Sequence, residues 1–327
     1  MENKLATYVN AKHCIGVSSG TDALLLALMA LDIEPGDEVI TTPFSFISTA
    51  ETIVLLGAIP VFVDIDPVTY NINPDNLTEA ISPKTKAIIA VSLYGQPADF
   101  SSINYIASQY GIPVIEDAAQ SLGATHNNSK SCNLCLIGVT SFFPTKPLGG
   151  YGDGGACFTS DDQIAEKIRK ISRHGSARRY YHTEVGINGR LDTIQAAILL
   201  VKLQIFDDEI DKRTKVADYY KTLFNNHGFK NTPIIVNGNT SVFAQYTVQV
   251  NEREKIQSFL QNEGIPTSVH YPLPLNDQPA LQSRSISKNC EIATKISKKV
   301  LSLPFHPYLE KFEQEKIVET LINAINN

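Results

Sequence analysis

Lys146 closes the segment Ser141-Phe142-Phe143-Pro144-Thr145-Lys146, which continues a strand-like run at 139–143. A glycine-rich stretch follows it, with Gly149, Gly150, Gly152, Gly154 and Gly155. An amine placed there can form a Schiff base with a carbonyl and then carry protons, provided its surroundings depress its pKa. On spacing alone, a solvated lysine beside a flexible turn fits equally well. A P-loop does not fit, because Lys146 precedes the glycines instead of ending them. The dinucleotide-binding pattern does not fit either, since 156–159 reads as a strand where that pattern needs a helix.

Asp117 ends the apolar run 112–117. A buried carboxylate at a strand end is costly unless a cation meets it. A protonated pyridine nitrogen would be such a partner, and the pairing would keep that ring an electron sink. An Asp that caps the next turn is the plain alternative. Ser18-Ser19-Gly20-Thr21-Asp22 opens the first strong helix. Gly20 allows close backbone approach to an anion, and free N–H groups at a helix start favour phosphate. An ordinary N-cap would use the same residues. His270-Tyr271-Pro272 lies in a proline-rich turn, suited to a polar substrate or simply held by Pro272 and Pro274. Cys132 and Cys135 form a lone Cys-x-x-Cys with His126 the only nearby histidine, so ordinary thiols and no metal are expected.

These residues need strands to carry them. Short β-branched runs at 39–42, 60–64, 86–92, 113–117 and 139–143 are interleaved with helical patterns such as 21–31 and 101–110. The alternation predicts an α/β fold with a mostly parallel central sheet and helices on both faces. Ligands then bind beyond the carboxyl ends of the strands, where Phe46, Asp117, Gln120 and Lys146 all fall. A helical region at 191–224 follows, then strand signals at 242–250 and helix signals at 252–261, 290–301 and 313–325. The expected division is a large domain, 1–209, and a smaller α+β domain, 210–327.

The 327 residues are 43% hydrophobic and 19% charged, with net charge −6. That acidity argues against a nucleic-acid or anionic-membrane partner. The apolar runs 23–31 and 196–201 are too short to span a bilayer and read as buried helix segments. Five cysteines without a signal peptide point to reduced thiols in the cytoplasm.

Five blocks occur in order: Ser-Ser-Gly-Thr-Asp-Ala-Leu at 18–24, Thr-Pro-Phe-Ser-Phe at 42–46, Glu-Asp-Ala-Ala-Gln at 116–120, Ser-Phe-Phe-Pro-Thr-Lys at 141–146 and Gly-Ile-Asn-Gly-Arg-Leu-Asp at 186–192. Together they resemble the pyridoxal-phosphate aminotransferases of fold type I, and among them the DegT-type nucleotide-sugar aminotransferases, over essentially the whole chain. The resemblance implies that Gly20, Thr21 and Ser141 bind the cofactor phosphate, that Phe46 stacks on its ring, and that Asp117 pairs with the ring nitrogen. Gln120 would lie near the phenolic oxygen, and Lys146 would form the Schiff base. Asn188 would reach the phosphate site of a neighbouring subunit, which implies a homodimer. Arg190, on the same loop, is a candidate for a substrate carboxylate or phosphate.

The same resemblance implies ping-pong transfer from L-glutamate, leaving 2-oxoglutarate, to a nucleotide-linked keto sugar. A branch of the family that dehydrates carries His in place of this lysine, so Lys146 favours transamination. Ile-Asn-Gly-Arg-Leu-Asp-Thr-Ile-Gln-Ala-Ala and the later Val-His-Tyr-Pro resemble the branch that aminates C3 of a UDP-linked 3-keto uronate for bacterial surface polysaccharide (O-antigen). A uronate would give Arg190, His270 and Tyr271 a carboxylate partner. The alternatives are amination at C4 of a UDP- or dTDP-4-keto-6-deoxy sugar, and a non-catalytic binding or regulatory protein of the same fold. Family members usually carry a further segment before the part matching 1–10, so a shortened start is expected.

Overall fold

The computed structural model describes residues 1–326. Eight strands form the main sheet, in spatial order His13–Val17, Gly155–Thr159, Ile137–Ser141, Val114–Asp117, Thr85–Val91, Glu38–Thr41, Ile59–Val63 and Ile286–Lys288. Only Gly155–Thr159 runs against the others. The five expected strands are all present, each within a residue or two of its predicted bounds.

Why these runs become central strands follows from the pleat. Ile89 and Ile115 point to one face, into a core with Leu24, Leu28 and Ile168. Ile88, Ala90 and Val114 point to the other, among Phe100, Ile103 and Leu77. Covered on both faces, such strands read as unbroken apolar runs. Helix Gly20–Ala30 begins at Ser19, whose hydroxyl accepts the Asp22 N–H at 3.0 Å. Helix Phe100–Tyr110 stops at Gly111 in the left-handed conformation.

Beyond the sheet, Tyr246–Gln249 pairs antiparallel with Val300–Leu303. Tyr220, Phe224, Leu260, Leu301 and Leu321 close a separate core around that pair. Ile286–Lys288 nevertheless extends the main sheet beside Ile59–Val63.

Three expectations are corrected. The helix expected over 290–301 stops at Ser297, and Val300–Leu303 is a strand because a partner more than 50 residues away in the chain supplies its hydrogen bonds. The helical region 191–224 is two helices, Thr193–Lys202 and Phe206–Asn226, broken where Phe206 turns into the core. The run 196–201 is not buried: only Leu199 is, while Val201 is 66% exposed and nearby Ile194 is 74% exposed. Among the described residues, no helix is long and apolar enough to cross a membrane.

Candidate active site

A cavity of about 470 Å³ opens at the carboxyl edge of the sheet. Its walls include Gly20, Thr21, Phe46, Asp117, Gln120, Ser141, Lys146, His270 and Tyr271. Nine of the eleven residues singled out from the sequence therefore meet in one place. Strand ends supply Asp117 and Ser141, and a helix start supplies Gly20 and Thr21.

Asp117 is buried at the cavity floor. Its Oδ2 accepts Thr49 Oγ1 at 3.0 Å and its Oδ1 accepts the Ala119 N–H at 3.2 Å. Since the carboxylate only accepts, Thr49 spends its proton there, and Ser45 Oγ must donate to Thr49 at 2.9 Å. Burial still lifts the Asp117 pKa, with those donors and the Lys146 charge pulling the other way. No ion pair among the described residues reaches this carboxylate, so a cationic ring nitrogen placed above it would complete its surroundings.

Lys146 is half-buried in the turn after Ser141, its N–H bonded to the Phe143 carbonyl at 2.8 Å. Burial lowers its pKa, opposed by attraction to Asp117. That direction favours the free amine, the form that captures a carbonyl.

Opposite, the start of helix Gly20–Ala30 runs against Ser141. A Cβ on Gly20 would lie 2.7 Å from Ser141 Cβ, so glycine alone permits this approach. Thr21, Ser141 and the unbonded N–H groups of the helix start form a cradle suited to a phosphate. Phe46, 54% exposed, stands at the rim with its ring centroid 6.4 Å from that of Tyr271. An aromatic ring can enter between the rim and the floor.

Gln120 Oε1 accepts the Tyr94 N–H at 2.8 Å, and its Nε2 lies 3.4 Å from the Tyr271 hydroxyl. His270 Nδ1 lies 3.0 Å from Ser302 Oγ. Burial, then the Lys146 charge, lowers the His270 pKa, which favours a neutral imidazole.

Asn188 and Arg190 do not line this cavity within one chain. Asn188 bridges to Arg173, and Arg190 faces a separate cavity of about 610 Å³ beside Met1, Glu2 and Arg173. Thr49 and Tyr94 were missed from the sequence. Thr49 lies three residues past Thr-Pro-Phe-Ser-Phe, but nothing local says its hydroxyl reaches Asp117.

A mostly parallel sheet with a lysine, a buried carboxylate and a helix start gathered at its carboxyl edge is the arrangement of a fold type I aminotransferase. The chain belongs to the DegT/DnrJ/EryC1/StrS aminotransferase family, whose model matches residues 1–322. It is a sugar aminotransferase, and pyridoxal phosphate is its cofactor. Across 323 residues it is 55% identical to UDP-2-acetamido-2-deoxy-3-oxo-D-glucuronate aminotransferase of Pseudomonas aeruginosa, covering 99% of this chain and 89% of that one. A DegT DnrJ EryC1 StrS aminotransferase from Brucella abortus superposes with TM-score 0.95 at 39% identity, covering 100% of this chain and 89% of that one. NtdA from Bacillus subtilis, solved with bound cofactor PMP, gives TM-score 0.91 at 33% identity, covering 100% and 76%.

Proposed function

We propose that this enzyme transfers the amino group of L-glutamate to C3 of UDP-2-acetamido-2-deoxy-3-oxo-glucuronate, for a surface polysaccharide of the O-antigen kind. The observation that carries this reading is the 55% identity to the Pseudomonas enzyme along nearly the whole chain. When bound, the cofactor supplies an aldehyde that captures amines and a ring that accepts an electron pair from a neighbouring carbon. The protein's residues do the rest. Lys146 would hold the cofactor and, as a free amine, would move a proton at the donor Cα, helped by its depressed pKa. Asp117 keeps the ring nitrogen protonated. Thr21 and Ser141 would bind the phosphate, Gly20 would let it in, and Phe46 would stack on the ring. Gln120 borders the phenolic oxygen.

His270 and Tyr271 orient the sugar, with Arg190 offered from a second subunit to its carboxylate. That Asn188 and Arg190 stand apart from their own chain's pocket supports an obligate homodimer with shared sites. The half-open apolar face of helix Thr193–Lys202 supports it too. We take 1–209 as the cofactor-binding domain and 210–327 as the smaller one. A nucleotide-linked substrate and five free thiols favour the cytoplasm.

The test is incubation with glutamate and each keto sugar, followed by mass analysis. Amination of the 3-keto uronate supports the reading. Amination only of a 4-keto-6-deoxy sugar would replace it with the C4 alternative. Failure of cofactor-loaded protein to bleach with glutamate would point to a binding or regulatory role.

A further inference from the structure

Tyr94 sits where the sheet meets the Tyr246–Gln249 and Val300–Leu303 pair. It follows strand Thr85–Val91 and has a left-handed backbone, φ 55°. Its carbonyl accepts the Ala244 N–H at 2.9 Å, and that of Gly95 accepts the Val242 N–H at 3.1 Å. Gly95, at φ 106°, is held so close that a Cβ would lie 2.7 Å from the Phe243 nitrogen. The Tyr94–Gly95 turn thus clamps segment 242–244 to the sheet.

The side chain reaches further. The Tyr94 hydroxyl donates to the His270 carbonyl. Its N–H donates to Gln120, whose amide reaches the Tyr271 hydroxyl. Tyr94, His270, Tyr271 and Gln120 therefore form a closed ring of contacts around the cavity wall. A second support meets the same histidine, because Ser302 Oγ faces both His270 Nδ1 at 3.0 Å and Thr247 Oγ1 at 2.9 Å. The Tyr94 ring itself packs edge-on against Tyr70, with centroids 5.7 Å apart. Phenylalanine would keep that packing, so the hydroxyl's distinct contribution is its hold on residue 270.

We propose that Tyr94 is a positioning residue, whose hydroxyl holds the His270 backbone and thereby sets the His270 and Tyr271 side chains against the side of the cavity that receives the keto sugar. The inference rests on His270 and Tyr271 being the sugar contacts. Lys146 and Asp117 are the charged groups that face this pair.

Y94F tests it with two readouts. One is steady-state kinetics split by half-reaction. The other is the His270 titration midpoint, followed by NMR in cofactor-free protein labelled on its histidines and assigned with H270N. Loss of one buried hydrogen bond should raise KM for the keto sugar about ten-fold. The glutamate half-reaction should change by less than about two-fold, as expected of uniform binding lost at a single substrate. The His270 midpoint should move up toward that of an ordinary histidine as water reaches the ring. Unchanged KM and midpoint would overturn the proposal. So would parallel loss of both half-reactions with release of cofactor, which would make Tyr94 a cofactor support instead. Should Y94F not fold, a ring-fluorinated tyrosine at position 94 keeps the packing and changes the strength of the hydroxyl as a donor. It reads the same two quantities: a shift in both supports the proposal, and no shift in either overturns it. If wild type does not aminate the uronate at all, the substrate reading fails, while the titration still decides whether Tyr94 holds His270.

Discussion

Thr49 Oγ1 donates a 3.0 Å hydrogen bond to Asp117 Oδ2, joining residues 68 positions apart in a buried pair. The bond keeps the carboxylate aimed into the cavity and favours its charged form. Replacing Thr49 with isosteric valine should weaken pyridoxal-phosphate binding about ten-fold, the usual consequence of stranding a buried acceptor. T49S should retain wild-type affinity. Absorbance titration of cofactor-free protein measures both, and equal affinity in T49V would remove Thr49 from the site.

Lys146 carries the sharpest activity prediction. K146A should lose transamination by at least about a thousand-fold while still binding the cofactor noncovalently. Its spectrum should lack the covalent band even at saturating cofactor. The pH dependence follows from the direction of the shift. Because burial lowers this lysine's pKa, the free amine accumulates as pH rises through a value below 10.5. The glutamate half-reaction should therefore rise with pH and level off before an ordinary lysine would titrate. A rate still climbing at pH 10.5 would contradict the depressed pKa.

Asp117, Ser141 and Lys146 could be found from sequence because each follows a buried strand, and in an α/β sheet that position is the ligand edge. Gly20 and Thr21 could be found because a helix start announces itself locally. Thr49 and Tyr94 could not, since their partners lie 68 and 176 residues away. The same limit hid Ile286–Lys288, whose exposed three-residue strand is defined only by its pairing to Ile59–Val63. The run 196–201 misled for a different reason. Its apolar residues signal that something covers them, and within one chain only Leu199 is covered.

Glu116 should set a pH dependence of stability. Its carboxylate is fully buried, accepting Ser131 Oγ at 2.6 Å, the Cys132 N–H at 2.8 Å and Ser92 Oγ at 3.1 Å. Burial outweighs those donors and pushes its pKa up to about 7. The folded state therefore holds this proton more tightly than the unfolded chain does. That stabilisation is complete below the unfolded pKa near 4.5 and is lost as pH rises through about 7. At about 1.36 kcal/mol per pH unit the span corresponds to roughly 3 kcal/mol. E116Q keeps an acceptor for Cys132 and an amide for the hydroxyls. It should flatten the profile, gaining on wild type at about pH 8 and matching it at about pH 5 in denaturant melts. Parallel profiles would show that Glu116 does not titrate in this range.

Gly20→Ala probes the cradle. The added Cβ would press on Ser141 at 2.7 Å and push the helix start off the Ile137–Ser141 strand. Cofactor affinity should fall by at least about ten-fold, because the helix N–H groups lose their aim at the phosphate. Free phosphate should compete less well against cofactor in the variant than in wild type. A variant that melts lower but binds normally would make Gly20 a packing residue only.

Asn188 supplies the test of shared sites. It lies outside its own chain's pocket, on the loop whose Gly189 carbonyl accepts the Ser18 N–H at 3.3 Å. If it serves the partner's phosphate, K146A and N188A should each be nearly inactive alone. Mixed, unfolded and refolded together, about half of the dimers will be hybrids. Each hybrid has one site that joins an intact Lys146 with an intact Asn188. Activity should then return to about one quarter of wild type, as random pairing in a two-fold dimer requires. A mixture no more active than the mean of its parents would place both residues in the same chain's site, or Asn188 in none.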